Sequence, residues 1–302
     1  MGRYGGYQVC PALDGFGYFV RLSHAAQKPA EPNVQASGMS YQHHIPDAHE
    51  RNLVISILGK EASWHPVVQT HHPITRWEAH GRTIATKYFT TKEAYETELR
   101  IFKCLGTDAC DFAPDILAHG EQVIAMDWIP GKQFIDRFDP GDTAPYGDTF
   151  IKAAETIGLL HEAGSAIDKK LLRDATADVI PGPRGFVHGD TLPHNMSVDD
   201  NGRVFILDFE NCSWGHSLLD LAPLACVMHA YTRERMLHRY CEVRRWTCNP
   251  EIVNAYRSIT RAWPRLFIKR FDEVEIRKVF THAPDRGVKL KDWCKAGIVA
   301  TD

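Results

Sequence analysis

Between Val187 and Glu210 the chain reads Val-His-Gly-Asp-Thr-Leu-Pro-His-Asn and then, past a turn, Val-Phe-Ile-Leu-Asp-Phe-Glu. This stretch leaves the backbone little choice. Pro193 lies between Asp190 and Asn195, which interrupts a continuous helix and predicts an ordered loop. Val198-Asp199-Asp200-Asn201-Gly202-Arg203 predicts a strand end entering a hairpin, because Asn-Gly is the strongest short-range hairpin signal. Val204 to Leu207 is an apolar run suited to a buried strand, and it delivers Asp208 at its C-terminal end. Asp190, Asn195 and Asp208 are therefore expected to meet.

Each of these residues alone is most often a cap, a turn or a strand end. Together they form the set that phosphoryl transfer needs. One carboxylate takes the acceptor proton, while an amide oxygen and a second carboxylate hold the metal ions that neutralise the nucleotide phosphates. Protein-kinase catalytic loops carry the same Asp-to-Asn offset, with Asp-Phe-Gly downstream. Here Gly189 stands where those loops have Arg, and Glu210 stands where they have the last Gly. The pattern points to a kinase of small molecules, with Asp190 as base and with Asn195 and Asp208 on magnesium.

At these residues the chain resembles the aminoglycoside phosphotransferase and choline kinase family of protein-kinase-like enzymes. The resemblance rests on His188-Gly189-Asp190 with Asn195, on Leu207-Asp208-Phe209-Glu210, and on Leu218-Leu219-Asp220-Leu221-Ala222. Met126-Asp127-Trp128-Ile129-Pro130-Gly131 looks like the family's hinge, and Gly158-Leu159-Leu160-His161 like its Gly-x-Leu-His helix. The matching stretches run from about residue 70 to about residue 230. The resemblance implies that the backbone of Asp127, Trp128 and Ile129 binds the purine. It also implies that Asp220 hydrogen-bonds the catalytic-loop backbone. His161, on an apolar helix face, reads as a packing residue.

Upstream lies the expected nucleotide-binding lobe. Val67 to Thr70, Ile74 to Ala79 and Thr83 to Phe89 are rich in β-branched and aromatic residues, with His80-Gly81-Arg82 as a turn. Lys87 falls in the last of these strands, where a kinase-like fold places its phosphate-binding lysine. The helical stretch from Thr91 to Leu105 supplies a carboxylate to fix that ammonium. Glu98 is the first choice and Glu96 its competitor. No G-x-G-x-x-G precedes Lys87. The phosphate-covering loop is either Gly59 to Ser63 or the turn near His71-His72-Pro73. Leu53 to Gly59 suits a strand or a short helix, and two further strands, near 115–118 and 123–126, lead to the hinge. After the hinge, Phe150 to His161, Leu218 to Met228 and Pro250 to Phe271 read as helical.

The expected fold is α+β, a two-lobed protein-kinase-like architecture. Residues 1–49 are a flexible extension, with Met39 as an alternative natural start. Residues 50–128 form an antiparallel β-sheet lobe with one helix, 129–132 a hinge, 133–285 a mainly helical catalytic and acceptor-binding lobe, and 286–302 a tail. The eight cysteines contain no C-x-x-C pair, so free thiols and a cytoplasmic location are expected. The histidine pairs lack metal-ligand spacing, which disfavours zinc. A net charge of −3 gives no general argument for nucleic acid or an anionic membrane, and no apolar run approaches membrane-spanning length. The partners expected are ATP or GTP with Mg2+ and a small-molecule acceptor, in a monomer or homodimer. A non-catalytic nucleotide-binding pseudokinase or regulatory module is the alternative, opposed by the presence of every metal-binding group.

Charge placement bears on the acceptor. Asp136, Asp139, Asp142 and Asp148 cluster after the hinge. From Tyr231 to Phe271, by contrast, Arg233, Arg235, Arg239, Arg244, Arg245, Arg257, Arg261, Arg265, Lys269 and Arg270 face only Glu234, Glu242 and Glu251. If that basic stretch lines the pocket, a cationic aminoglycoside is disfavoured; otherwise it is a solvated helix face.

Overall fold

Alternation along one strand organises the N-terminal half of the molecule. The computed structural model describes residues 44–68, 72–106, 112–133, 143–174, 182–192, 195–225, 228 and 230–270. The expectations for residues 1–43 and 271–302 lie outside these. Helix α1 (Ala48–Leu58) precedes β1 (Ser63–Val68), β2 (Ile74–Ala79) and β3 (Arg82–Tyr88). Helix α2 (Lys92–Leu105), β4 (Ile116–Gly120) and β5 (Val123–Asp127) follow. The five strands pair antiparallel in the order β1-β2-β3-β5-β4.

Successive side chains of a strand point to opposite faces. On β3, Ile84 packs with Trp77 against Val54 and Leu58 of α1, whereas Ala85 packs with Ile124, Met126 and Leu99 of α2. The polar residues keep the alternation. Thr86 donates to the buried Glu50 of α1 at 2.5 Å and accepts from Trp77 Nε1 at 2.8 Å. Lys87 turns the other way, to α2.

Two expectations are corrected here. The lobe holds two helices rather than one, because the Leu53 to Gly59 run is the end of α1. Its start also lies before residue 50, since Asp47 caps α1 by accepting from the Glu50 N–H at 2.8 Å. His44 Nε2 lies 2.8 Å from Glu50 Oε2. In addition, β1 begins at Ser63 rather than near Val67.

Gly131 sets the passage between lobes. Its φ is +125°, and a Cβ there would come within 2.1 Å of the Val198 carbonyl oxygen, so the backbone passes closer than a side chain allows. Beyond it come β6 (Lys132–Gln133), α3 (Thr143–Gly164), β7 (Arg173–Asp174), β8 (Arg184–Val187), β9 (Met196–Val198), β10 (Val204–Ile206) and β11 (Ser213–His216). The chain continues through a 3-10 turn at Ser217–Leu221 into α4 (Ala222–Ala225), α5 (Ala230–Val243) and α6 (Pro250–Arg270).

This lobe carries more strand than its helical pattern suggests, in the small sheets β10-β9-β6 and β7-β11-β8. The described part of the Leu218 to Met228 stretch is a 3-10 turn followed by a short helix at Ala222–Ala225, rather than one continuous helix. The main core joins Phe150, Ala154, Ile157 and Leu160 of α3 to Ile206, Leu221, Met236 and Tyr240. No helix among the described residues is long and apolar enough to cross a membrane. Cys104, Cys212, Cys241 and Cys248 are free thiols.

Candidate active site

The β9–β10 hairpin brings the motif residues together. Met196 pairs with Ile206, and the next rung joins the Leu207 N–H to the Asn195 carbonyl at 2.8 Å. Asp208 therefore leaves β10 beside Asn195. Its φ of 68° is left-handed, a region that Asp tolerates better than most residues. Phe209 behind it packs on Phe102 of α2, with ring centroids 4.8 Å apart, and so seats the segment against the N-terminal lobe.

Lys87 reaches across the cleft between the lobes. Its Nζ lies 2.6 Å from Glu98 Oε2 and 2.7 Å from Asp208 Oδ1. Glu98 is fully buried on α2, whereas its competitor Glu96 is exposed and pairs with Lys92. Burial alone would depress the Lys87 pKa, but the two carboxylates outweigh it and the ammonium is held above its usual range. Burial would raise Asp208, but the charge and hydrogen bond of Lys87 hold it below the ordinary carboxylate range. Glu98 is the second carboxylate on a single cation. Burial, with Asp208 adding to it, pushes its pKa up to about 7.

Asp220 organises the loop that carries Asp190. Its carboxylate accepts from the His188 N–H at 2.6 Å, the Gly189 N–H at 2.9 Å and His161 Nε2 at 2.8 Å, and its backbone carbonyl accepts from the Thr191 hydroxyl at 2.6 Å. His161 is thus the packing residue expected, and Tyr240 on α5 completes the chain, its hydroxyl 2.7 Å from His161 Nδ1. His188 receives the Asp190 N–H on Nδ1 at 3.3 Å. The other nitrogen, Nε2, therefore carries the proton and donates to the Leu207 carbonyl at 3.1 Å. Gly189, at φ +81°, passes so close to the Asn211 carbonyl that a Cβ would sit 2.6 Å from its oxygen, which explains glycine where protein kinases carry arginine.

Burial would raise the Asp220 pKa, but the hydrogen bond and charge of His161 hold it below its ordinary value. Its stabilising contribution is therefore fully present above the ordinary carboxylate range and is lost below that range, as pH falls through the lowered folded-state value. Asp220→Ala is expected to cost about 3–5 kcal/mol of stability at neutral pH, as for a broken buried ion pair. Its deficit relative to wild type should shrink in acid, and denaturant melts at neutral and acid pH check both.

Asp190 is half-buried, and Asn211 Nδ2 approaches its Oδ2 at 3.5 Å. Asn195 Nδ2 donates to the Asp190 backbone carbonyl at 3.0 Å, which orients the amide and leaves its oxygen as the atom suited to a hard cation. Asp127, Trp128 and Ile129 lie apart from this cluster, at the end of β5 where the lobes join, all half-buried. The guanidinium of Arg76 stacks 5.0 Å from the Trp128 ring.

Sequence reasoning missed two neighbours. His72 receives the Thr90 N–H at 3.2 Å, and its Nε2 is 2.6 Å from Glu210 Oε2, a close contact rather than an aligned hydrogen bond. It lies in the β1–β2 connection, the second of the two stretches considered for the phosphate-covering loop; the first, Gly59 to Ser63, instead joins α1 to β1. Glu210 belongs to the Leu207-Asp208-Phe209-Glu210 motif, which gave no sign of its contact with His72.

Residues 165–266 match the model of the phosphotransferase enzyme family. That segment is similar in sequence to phosphotransferases. It contains Asp190, Asn195, Asp208 and Asp220, while Lys87, Glu98 and His161 precede it. No match is found among curated proteins. Solved structures of the same architecture include a macrolide 2′-phosphotransferase from Brachybacterium faecium, at 15% identity over 80% of this chain and 92% of that one, TM-score 0.52. A choline/ethanolamine kinase family protein from Mesorhizobium loti matches at 16% identity over 83% and 92%, TM-score 0.53. The aminoglycoside phosphotransferase APH(2″)-IIa, in a ternary complex with streptomycin and ATP, matches at 12% identity over 83% and 99%, TM-score 0.54. The chain has the two-lobed α+β, protein-kinase-like fold of these small-molecule phosphotransferases.

Proposed function

We propose that this protein transfers the γ-phosphate of ATP or GTP to a hydroxyl group of a small molecule, in a magnesium-dependent reaction. The observation that carries the reading is the Lys87 ammonium held between Glu98 and Asp208 at 2.6 and 2.7 Å, across the cleft from the Asp190 loop. Glu98 fixes the lysine from behind, so that its charge faces the phosphates. The backbone of Asp127 to Ile129 receives the purine. ATP is the nucleotide bound in the APH(2″)-IIa complex, which favours it as donor here.

The oxygens of Asn195 and Asp208 fit a magnesium ion, a hard cation that takes one or two protein carboxylates and keeps phosphates and waters as its remaining ligands. Magnesium, when bound, would neutralise phosphate charge. Asp190 aligns the acceptor hydroxyl and takes its proton. A new bond forms between the acceptor oxygen and the γ-phosphorus, the bond from that phosphorus to its bridging oxygen breaks, and the nucleoside diphosphate leaves with the electron pair. Asp220, through His188 and Gly189, keeps Asp190 aimed without touching substrate.

The test is a nucleotide-consumption screen with Mg-ATP and Mg-GTP over hydroxylated acceptors, among them macrolides, aminoglycosides, choline-like alcohols, sugars and amino alcohols. Acceptor-dependent formation of nucleoside diphosphate, absent in EDTA, is the expected result. Nucleotide binding with no turnover over the whole panel would favour a non-catalytic binding module instead.

A further inference from the structure

His72 joins the two lobes beside Lys87, and strand register puts it there. Ile74 pairs with Lys87 and the Tyr88 N–H donates to the Pro73 carbonyl at 3.0 Å, so His72 stands opposite Phe89. The two rings pack with centroids 5.1 Å apart, and the Lys87 ammonium lies 4.6 Å from the centre of the Phe89 ring. His72 Nδ1 accepts the Thr90 N–H at 3.2 Å, which makes Nε2 the nitrogen that carries the proton. That nitrogen faces Glu210 Oε2 at 2.6 Å, across the cleft.

Both ends of this contact are held from behind. A connection between strands ordinarily runs over the surface with its polar groups in water. His72 is instead only 7% exposed, with one nitrogen turned to its own lobe and the other to the opposite one. Glu210 sits in the 3-10 turn Phe209–Asn211, directly after Asp208, and Phe209 anchors that turn on Phe102 of α2. Two contacts from the N-terminal sheet therefore reach one short segment, Lys87 to Asp208 and His72 to Glu210. A single contact leaves a loop free to pivot about it, whereas a second one fixes where the β1–β2 connection ends.

We propose that His72 is a positioning residue, which through Glu210 holds the β1–β2 connection over the phosphates of a bound nucleotide. It touches neither the purine nor the acceptor. A covering loop already held in place loses less freedom when the phosphates arrive, so the contact adds affinity for the phosphate chain and none for the base. This role rests on the phosphotransferase reading for the place of the nucleotide, and it requires no turnover.

Calorimetric titration of the full chain tests it, with Mg-ATP in one arm and adenosine, which has the purine and no phosphate, in the other. Two amides divide the imidazole between them. His72→Asn puts an oxygen near the place of Nδ1, where it can still accept the Thr90 N–H, but it is too short to reach Glu210. His72→Gln puts an NH2 group near the place of Nε2 and keeps the cross-lobe contact. His72→Asn should weaken Mg-ATP about tenfold, the loss of one polar contact, and leave adenosine unchanged. His72→Gln should bind Mg-ATP within about threefold of wild type. A residue that only fills the N-terminal lobe would affect both ligands alike. Wild-type affinity for Mg-ATP in His72→Asn would overturn the role, as would an equal loss for adenosine or a loss that His72→Gln does not repair. Mg-ATP binding by wild type with no transfer to any acceptor would sink the phosphotransferase reading and leave the role of His72 standing. Wild type that binds no Mg-ATP would overturn both.

Discussion

Asp190→Asn should lower kcat by roughly 10²–10⁴, the usual contribution of a positioned general base, and leave nucleotide affinity nearly unchanged. The substitution keeps the shape of the side chain and removes its ability to take a proton. The loop itself should not move. Its position is set by Asp220 binding the His188 and Gly189 N–H groups, by His188 on Leu207, and by Asn195 on the Asp190 backbone carbonyl, none of which involves the Asp190 carboxylate. Its contact with Asn211, at 3.5 Å, is long and is one that an amide can keep. A fall in kcat with unchanged nucleotide binding therefore reads the chemical step rather than damage to the site. Steady-state kinetics with the acceptor found by the screen, beside nucleotide titrations of the same variant, separate the two. Near-full turnover in Asp190→Asn would remove the residue from the mechanism and leave catalysis to positioning and electrostatics alone.

The arrangement around Asp190 was legible because it is local. A proline, an Asn-Gly turn and a buried strand lie within one short segment, and the hairpin register then follows. The approach of Lys87 to Glu98 was legible for a related reason. The period of a strand and the apolar face of a helix decide which way each residue points, and Glu98 falls among Leu99, Phe102 and Leu105 on the buried side of α2. Contacts between distant elements carried no such signal. Glu50 accepts from Thr86, which in turn accepts from Trp77, from a helix whose role was unread, and a buried glutamate in a helix looks like any surface glutamate. The two- to four-residue strands β6, β7, β8 and β11 are too short to show a period, so a lobe that reads as helical conceals two small sheets. His72 was visible as one of a histidine pair and as part of a candidate phosphate-covering turn, with no sign of its partner. Its approach to Glu210 depends on the β1–β2 connection meeting the other lobe, which no local pattern encodes.

Asp208 is the residue whose loss should separate binding from fold most cleanly. A Mg-nucleotide at about a hundred times its dissociation constant stabilises a protein by about 2.7 kcal/mol, and this should appear in wild type as a rise of several degrees in Tm. Asp208→Asn should abolish the magnesium-dependent part of that rise. Asparagine is the substitution of choice because the residue sits at φ 68°, where Asn is tolerated about as well as Asp and where Ala would add backbone strain of its own. The nucleotide-free protein should remain folded. Lys87 keeps Glu98 at 2.6 Å, and removing the Asp208 charge relieves the repulsion that helps hold the Glu98 pKa at about 7. Glu98 then ionises more readily and becomes the sole full counter-charge to the ammonium, which compensates for part of the lost contact. The two effects therefore have opposite signs. Stability without nucleotide should fall by no more than about the 1–3 kcal/mol expected for one charge-assisted hydrogen bond, while the gain from Mg-ATP or Mg-GTP disappears. A thermal-shift matrix of wild type and variant, with and without nucleotide, magnesium and EDTA, reads both. An unchanged magnesium-dependent shift in Asp208→Asn would place the metal elsewhere, and the role proposed for Asn195 would fall with it.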